Sequence, residues 1–575
     1  MFSTPILLSM NKKSSSYPFI YFIAFILFLS ACNNSKNPPG SDIASSPEQL
    51  DEKVTDNTRE TLEYAIANNG NIGDSVFLLN TKLLQLIYEK GRFEPVWSSK
   101  EQWKPAGDSL FHFIATAKLY GLFPEDYHFP QLDSIHRMFV NDSLAKTERR
   151  DAVLWSRADL LLTDAFMQMV KDIKLGRLPK DSITLRTDSV LTDDFYIKQW
   201  DALKQSASLS QVMRSLEPKH WGYRALKAGI QKFLDSADNR PFTIVPPQGK
   251  DPVSRNTYRK ALQTRLYQGG FIASDSIPAD SATLAEGVKK FQKRHGITAD
   301  GKAGEATLRL LNLSDKDKFI RIAISMDRYK LLPDTMPPRY VWVNLPSYYL
   351  QLRDHDTMKL LSKIVCGKPL NRTPLLTSAI SEMITYPQWT IPTSIIVKEI
   401  LPAAKKNPGY FAKKGFSLID KDGNEVDPYS VDWSKYSKGI PYKVVQGSGD
   451  DNALGILKFN FNNKYAVYLH DTNQRYLFAQ AVRSLSHGCV RVQEWEKLAY
   501  NILQYDNPDQ KKLQAKEDSL SRWLIRKEKH SIGIRNRLPV FIRYFTCEGK
   551  GDGIVFYDDI YNEDKLIRQK YFGGK

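Results

Sequence analysis

Cysteine and histidine are scarce in this chain, with four and nine copies in 575 residues. One of each falls inside a segment whose residue types suit covalent chemistry. Cys489 closes the run Ser486-His487-Gly488-Cys489, and His470 stands upstream at the end of an alternating stretch over 466–469. Acyl transfer by a thiol needs a thiolate, a base to hold its proton, and backbone donors aimed at the carbonyl oxygen. A free cysteine has a pKa near ~8.5, and pairing with histidine lowers it to roughly 3.5–7.5, so His470 is the candidate base for Cys489. Gly488 permits a sharp turn and close backbone approach. The N–H groups of Gly488 and Cys489, with His487, are candidates for an oxyanion hole, where one donor is worth ~3 kcal/mol in the transition state. Which group orients His470 stays open. Asp471 follows it directly, but neighbouring side chains on a strand point to opposite faces, which favours a backbone carbonyl.

Arg491 lies just beyond the thiol and has two readings. Its guanidinium fork can grip a substrate carboxylate, or it can form a structural ion pair. Trp389 and Tyr468 either line a substrate groove or pack in a core. Cys366, in Ile364-Val365-Cys366, reads as a buried strand residue, and a disulfide to Cys547 is open. The other histidines are scattered without zinc-ligand spacing, so no metal and no cofactor is expected. Acidic pairs are plentiful but undistinguished, which leaves glycan cleavage by two carboxylates without support.

The elements that must position these residues come late in the chain. From Pro338 the hydrophobic period becomes 2: Val341, Val343 and Leu345 alternate with polar or aromatic partners, and 349–352, 364–365, 443–445, 457–461, 466–469 and 539–544 read as strands. Residues 402–440 lack alternation and carry several prolines and glycines, so they read as an excursion over the sheet. Upstream, residues 56–249 carry helical stripes such as Leu83, Leu84, Ile87 and Tyr88. Residues 250–313 form a compact three-helix unit, with Asp300-Gly301 in a turn where glycine accepts positive φ. One more amphipathic helix over 319–333 is expected to return to the scaffold, making 250–313 an insertion. The expected fold class is multidomain α+β: a helical scaffold with an inserted three-helix domain, then a β-rich domain over 338–548 and an extension over 549–575.

The N-terminus sets the compartment. Residues 19–29 form an apolar run of 11 residues, short of the ~20 that span a bilayer, and it follows Lys12-Lys13. This reads as a secretory signal over 1–31. It ends in Leu29-Ser30-Ala31-Cys32, which resembles a bacterial lipobox and implies lipidation of Cys32, a membrane anchor and a periplasmic location. Residues 32–55 are polar and rich in Pro, Ser and Asn, so a flexible tether is expected. The net charge of +17 favours anionic partners, but Lys and Arg are spread along the chain and no nucleic-acid motif is present. Nothing in the sequence sets an oligomeric state.

His470-Asp471-Thr472 followed by Ser486-His487-Gly488-Cys489-Val490-Arg491-Val492 resembles the signature of bacterial L,D-transpeptidases, and of their large form in particular. The likeness runs from about residue 60 to 565 and includes Thr163-Asp164-Ala165-Phe166, Pro387-Gln388-Trp389-Thr390-Ile391-Pro392 and Asp559-Ile560-Tyr561-Asn562. The segment Val288-x-x-Phe291-Gln292 through Asp300-Gly301 to Thr307 resembles a small peptidoglycan-binding domain. These resemblances imply Cys489 as nucleophile, His470 as proton acceptor and donor, Ser486, His487, Gly488 and Arg491 as the surrounding motif, and 402–440 as a cap. They imply peptidoglycan stem peptides and glycan as partners, and 3→3 cross-linking with release of D-alanine from tetrapeptide stems. The alternatives are a non-catalytic wall-binding lipoprotein and a Cys-dependent L,D-carboxypeptidase or endopeptidase.

Overall fold

The computed structural model describes residues 38–145, 149–180, 190–205, 208–238, 240–295 and 297–575. The expected signal segment, Cys32 with its lipid, the start of the tether and Gly296 lie outside the described residues. Among the described residues no helix is long and apolar enough to cross a membrane. The chain divides into two compact units. One comprises the chain up to Thr116 with Pro124–Val170 and Leu191–Val212. The other comprises Ala117–Phe123, Lys171–Val190 and Met213–Lys575.

The first unit is helical, as its stripes predict. The tether ends sooner than expected: Pro47–Ala67 is a helix, with Ser46 accepting from the Gln49 N–H as N-cap and proline in the first turn. Leu50 and Val54 give that segment a buried stripe, which an overall count of polar residues conceals. The segment Thr163–Phe166 gathers this unit's loops onto one helix. The buried Asp164 carboxylate accepts from the N–H groups of Leu79 and Asn80, and His128 Nε2 lies 2.7 Å from it.

In the second unit, helices Pro252–Gln268, Ser281–Arg294 and Glu305–Leu311 form the three-helix domain. The buried Gln292 amide donates to Asp300 and to the Lys302 carbonyl, and accepts from the Gly301 N–H. Gly301 has φ +74°, the conformation for which glycine is suited. Helix Asp315–Tyr329 packs on helix Trp221–Ser236 and on the strand Cys547–Lys550, and helix Trp221–Ser236 packs in turn on the strand Gly553–Phe556. The helix it returns to therefore belongs to the second unit, and residues 549–575 are core rather than an appendage: Phe556, Ile560, Tyr561 and Ile567 are all buried.

Among the described residues nine strands form the central sheet: β1 (Arg339–Asn344), β2 (Tyr349–Asp354), β3 (Thr357–Gly367), β4 (Leu376–Thr385), β5 (Leu457–Phe461), β6 (Leu469–His470), β7 (Ser484–Ser486), β8 (Val490–Val492) and β9 (Ser531–Arg543). Their order is β7-β3-β8-β6-β5-β4-β9-β1-β2, and β2 also pairs with β3, so the hydrogen-bonded order returns on itself. Alternate side chains of these strands fill one core, including Val343, Leu350, Met383, Phe459, Leu469, Val490 and Val540.

Two expectations about this domain are corrected. The strand expected over 466–469 is only Leu469–His470, because Ala466 takes φ +52° and Asn463 caps a turn there through the Tyr465 and Val467 N–H groups. The excursion of 402–440 is also wider and more regular than expected. Strands Trp389–Thr390, Lys443–Gln446, Phe416–Ile419 and Glu425–Val426 form a separate four-stranded sheet. Short helices cover it, around a core of Ile396, Ile400, Leu401, Phe411, Leu418, Trp433 and Val444. Strands of two to four residues are too short to show alternation, and Lys443–Val445 joins this small sheet rather than the central one.

Candidate active site

Strand register brings the sequence-predicted residues together. β6 and β8 run parallel with Leu469 opposite Val490 and His470 opposite Arg491, and the Val490 N–H donates to the Tyr468 carbonyl at 3.1 Å. Directly opposed residues share a face, as do residues two apart on a strand. Tyr468, His470, Cys489 and Arg491 therefore occupy one face. β5 adds a residue that the sequence reading missed: Lys458 stands opposite His470. The face thus carries a row Lys458–His470–Arg491, with Tyr468 and Cys489 in the row beside it.

Cys489 retains part of its surface open to solvent while protein packs closely around the sulfur, and this burial pushes its thiol pKa up. Cys366 and Cys547 are fully enclosed and unpaired, and burial pushes both to about 12, which leaves them inert. Sγ of Cys489 lies 3.9 Å from the Ala466 carbonyl, and among the described residues no hydrogen bond joins it to His470. Tyr468 lies beside it: burial chiefly, and then Cys489, push its phenol pKa up.

His470 is 4% exposed, and its Nδ1 is buried without a hydrogen-bond partner among the described residues. Its pKa falls to about 3, first through burial and then through Arg491, with Lys458 adding to the effect and the backbone of Asp471 and Leu454 opposing it. The ring is thus a neutral imidazole at physiological pH. The Asp471 carboxylate turns to the Ile456 N–H and to Arg475, so it does not orient the ring beside it.

A relay of hydroxyls fixes the loop before Cys489. Ser486 Oγ donates to the Cys489 carbonyl at 2.6 Å and accepts from the Gly488 N–H at 3.1 Å. Thr373 Oγ1 donates to the Gly488 carbonyl and accepts from the Gly367 N–H. Tyr561 Oη donates to the Gly367 carbonyl and accepts from the Thr373 N–H. Gly488 holds φ +122°, strained for any other residue. The expectation that the Gly488 N–H serves an oxyanion is corrected, since Ser486 already occupies it. The N–H groups of His487 and Cys489 accept no such assignment among the described residues and stay available.

The remaining candidates divide between the face that carries Cys489 and the small four-stranded sheet. Arg491 donates to Gln474 Oε1 at 2.8 Å, and it has no carboxylate partner among the described residues, so its other donors are unspent. His487 Nε2 lies 2.6 Å from Glu399, which stands before the 402–440 excursion, and Lys398 donates to Asn371. Trp389 begins the small sheet opposite Gln446 and interacts with Tyr468. Of the residues missed, Tyr561 lay within the quoted Asp559–Asn562 segment. Lys458 gave only the polar half of the alternation in Leu457–Phe461.

Comparison with known proteins agrees with this architecture. Residues 338–514 match the L,D-transpeptidase catalytic domain, 82–229 the scaffold domain, and 255–311 the "Putative peptidoglycan binding domain". The chain thus carries an L,D-transpeptidase catalytic domain together with a scaffold domain and a peptidoglycan-binding domain. A protein of Haemophilus influenzae described as "Putative L,D-transpeptidase" is 36% identical over 247 residues, which is 43% of this chain and 48% of that protein. The chain therefore matches about half the length of this curated relative. Two solved structures are similar at low level. An L,D-transpeptidase from Stackebrandtia nassauensis is 18% identical over 45% of this chain and 90% of that one, at a TM-score of 0.18. An L,D-transpeptidase fragment from Xylanimonas cellulosilytica is 14% identical over 53% of this chain and 100% of that one, at 0.16. Scores this low carry no argument about fold or chemistry.

Proposed function

We propose that this protein is an L,D-transpeptidase that forms 3→3 peptidoglycan cross-links through a thioester on Cys489. The observation that carries this reading is the shared face of Cys489 and His470: His470 stands opposite Arg491 across the parallel β6–β8 pair, and Cys489 lies two residues before Arg491. Contacts of this kind tighten when substrate binds.

In the reaction, the Cys489 sulfur attacks the carbonyl of the third residue of a tetrapeptide stem, a diamino acid. The thiol proton passes to His470, the C–S bond forms, the peptide C–N bond breaks, and the proton leaves on the amine of D-alanine. The side-chain amine of a second stem then attacks the thioester, its surplus proton passes through His470 to the departing sulfur, and the cross-link is complete. The N–H groups of Cys489 and His487 receive the oxyanion. Arg491 holds a stem carboxylate, with Trp389 and Tyr468 along the peptide. Residues 255–311 engage the wall polymer, and a lipid on Cys32 keeps the protein at the periplasmic face of a membrane.

The test is product analysis. Purified protein with disaccharide-tetrapeptide should release D-alanine and give 3→3 dimers by mass spectrometry, and Cys489→Ala should give neither. Identical profiles from both proteins would overturn the proposal. Tripeptide without dimer would assign a carboxypeptidase instead.

A further inference from the structure

We propose that Lys458 supplies the positive charge that holds Cys489 as a thiolate while the acyl transfer begins; this rests on Cys489 being the nucleophile. Three observations carry the assignment. The first is register: Lys458 is directly opposite His470 across the β5–β6 pair, on the face that carries Cys489. The second is that the Lys458 side chain is committed to that face. Its Nζ lies 4.0 Å from the centre of the Tyr468 ring, and Tyr468 stands next to the sulfur. A cation over an aromatic face is held in place without having its charge neutralised.

The third is what Lys458 lacks. Among the described residues its ammonium has no ion pair and no hydrogen bond, although burial costs it part of its affinity for the proton. The nearby carboxylate, Glu382, is spent on Asn460 and Ser531. A half-buried ammonium without a counter-ion is expensive, and the anion that would complete it is the Cys489 sulfur.

The groups facing that sulfur divide the work. Burial raises the thiol's pKa, hydrogen bonds from the backbone and side chain of Tyr468 lower it, and Lys458 and then Arg491 are the cations that lower it further. Arg491 is turned to Gln474, and Tyr468 is neutral. His470 sits between two cations and is held neutral, so it takes the thiol proton only in passing and is a poor standing counter-ion. The imidazole therefore moves the proton, and Lys458 steadies the negative sulfur it leaves behind. Lys458 is in this sense a positioning charge that keeps its own proton throughout.

The test is the pH profile of Cys489 alkylation by iodoacetamide in the full-length protein, with the modified peptide located by mass spectrometry. A nearby positive charge favours the thiolate. Lys458→Met should therefore raise the apparent thiol pKa by ~1 unit and slow alkylation at neutral pH ~10-fold. Lys458→Arg should keep the profile close to wild type. His470→Asn should shift the thiol less than Lys458→Met while losing turnover. Should the Met variant misfold, Lys458→Gln carries the same expectation. A Lys458→Met profile superimposed on wild type would overturn the assignment, including when KM for the tetrapeptide rises, which would make Lys458 a substrate-carboxylate holder. Product formation by Cys489→Ala would instead fail the underlying reading.

Discussion

His487 and Glu399 meet at 2.6 Å, and this contact ties the loop that carries Cys489 to the segment that carries Glu399. Both side chains are partly exposed, so the pair is worth only ~0–1 kcal/mol to global stability. Its consequence is local. Glu399→Gln should leave the melting temperature within about a degree, while hydrogen exchange over 393–406 speeds up. Unchanged exchange in that segment would show that other contacts hold it.

Gly488 should be irreplaceable for a conformational reason. A Cβ there meets only ordinary contacts, the nearest being the Arg372 carbonyl at 3.6 Å, but φ is +122°. An L residue in that conformation costs ~1–3 kcal/mol. Gly488→Ala should fold, lose most turnover and lower the alkylation rate of Cys489 as the loop shifts. Activity within twofold of wild type would contradict this.

Tyr561 acts on the site from the far end of the chain. Tyr561→Phe leaves the buried Thr373 N–H without its acceptor, a loss of ~1–3 kcal/mol, and Thr373 in turn holds the Gly488 carbonyl. Denaturant melts should show the destabilisation, and kcat should fall several-fold with KM little changed.

How much of this was legible in the sequence follows from distance along the chain. The thiol, the imidazole and the glycine turn lie in one stretch of the sequence, where spacing alone argues chemistry. Lys458 became a site residue only through the pairing of β5 with β6, and a lone lysine in an alternating strand reads as solvated. Tyr561 reaches Gly367 across 194 positions, and no local pattern announces such a contact. The full extent of the excursion escaped because its strands are short and its first and last strands, at 389–390 and 443–446, flank the glycine- and proline-rich stretch. The helix at Pro47 was legible in its Ser-Pro start, yet tract composition masked it.

Acid should destabilise the fold with a predictable sign. His220, His295 and His470 are each held neutral by burial, with pKa values of about 3 against 6.5 when free. A depressed folded-state value means that the unfolded chain binds the extra proton. The stability these residues provide is complete above about pH 6.5 and is lost as pH falls towards 3, at up to ~1.4 kcal/mol per pH unit for each. Urea midpoints should fall between pH 7 and pH 5, and His220→Asn should flatten that slope. A midpoint that rises on acidification would be the wrong sign.

The covalent step is tested most directly by the mass of the intact protein. On rapid quenching after mixing with disaccharide-tetrapeptide, the account predicts one added donor less D-alanine, located to the peptide that carries Cys489 and absent from Cys489→Ala. An unmodified Cys489 under conditions where product forms, or an adduct on another residue, would contradict it.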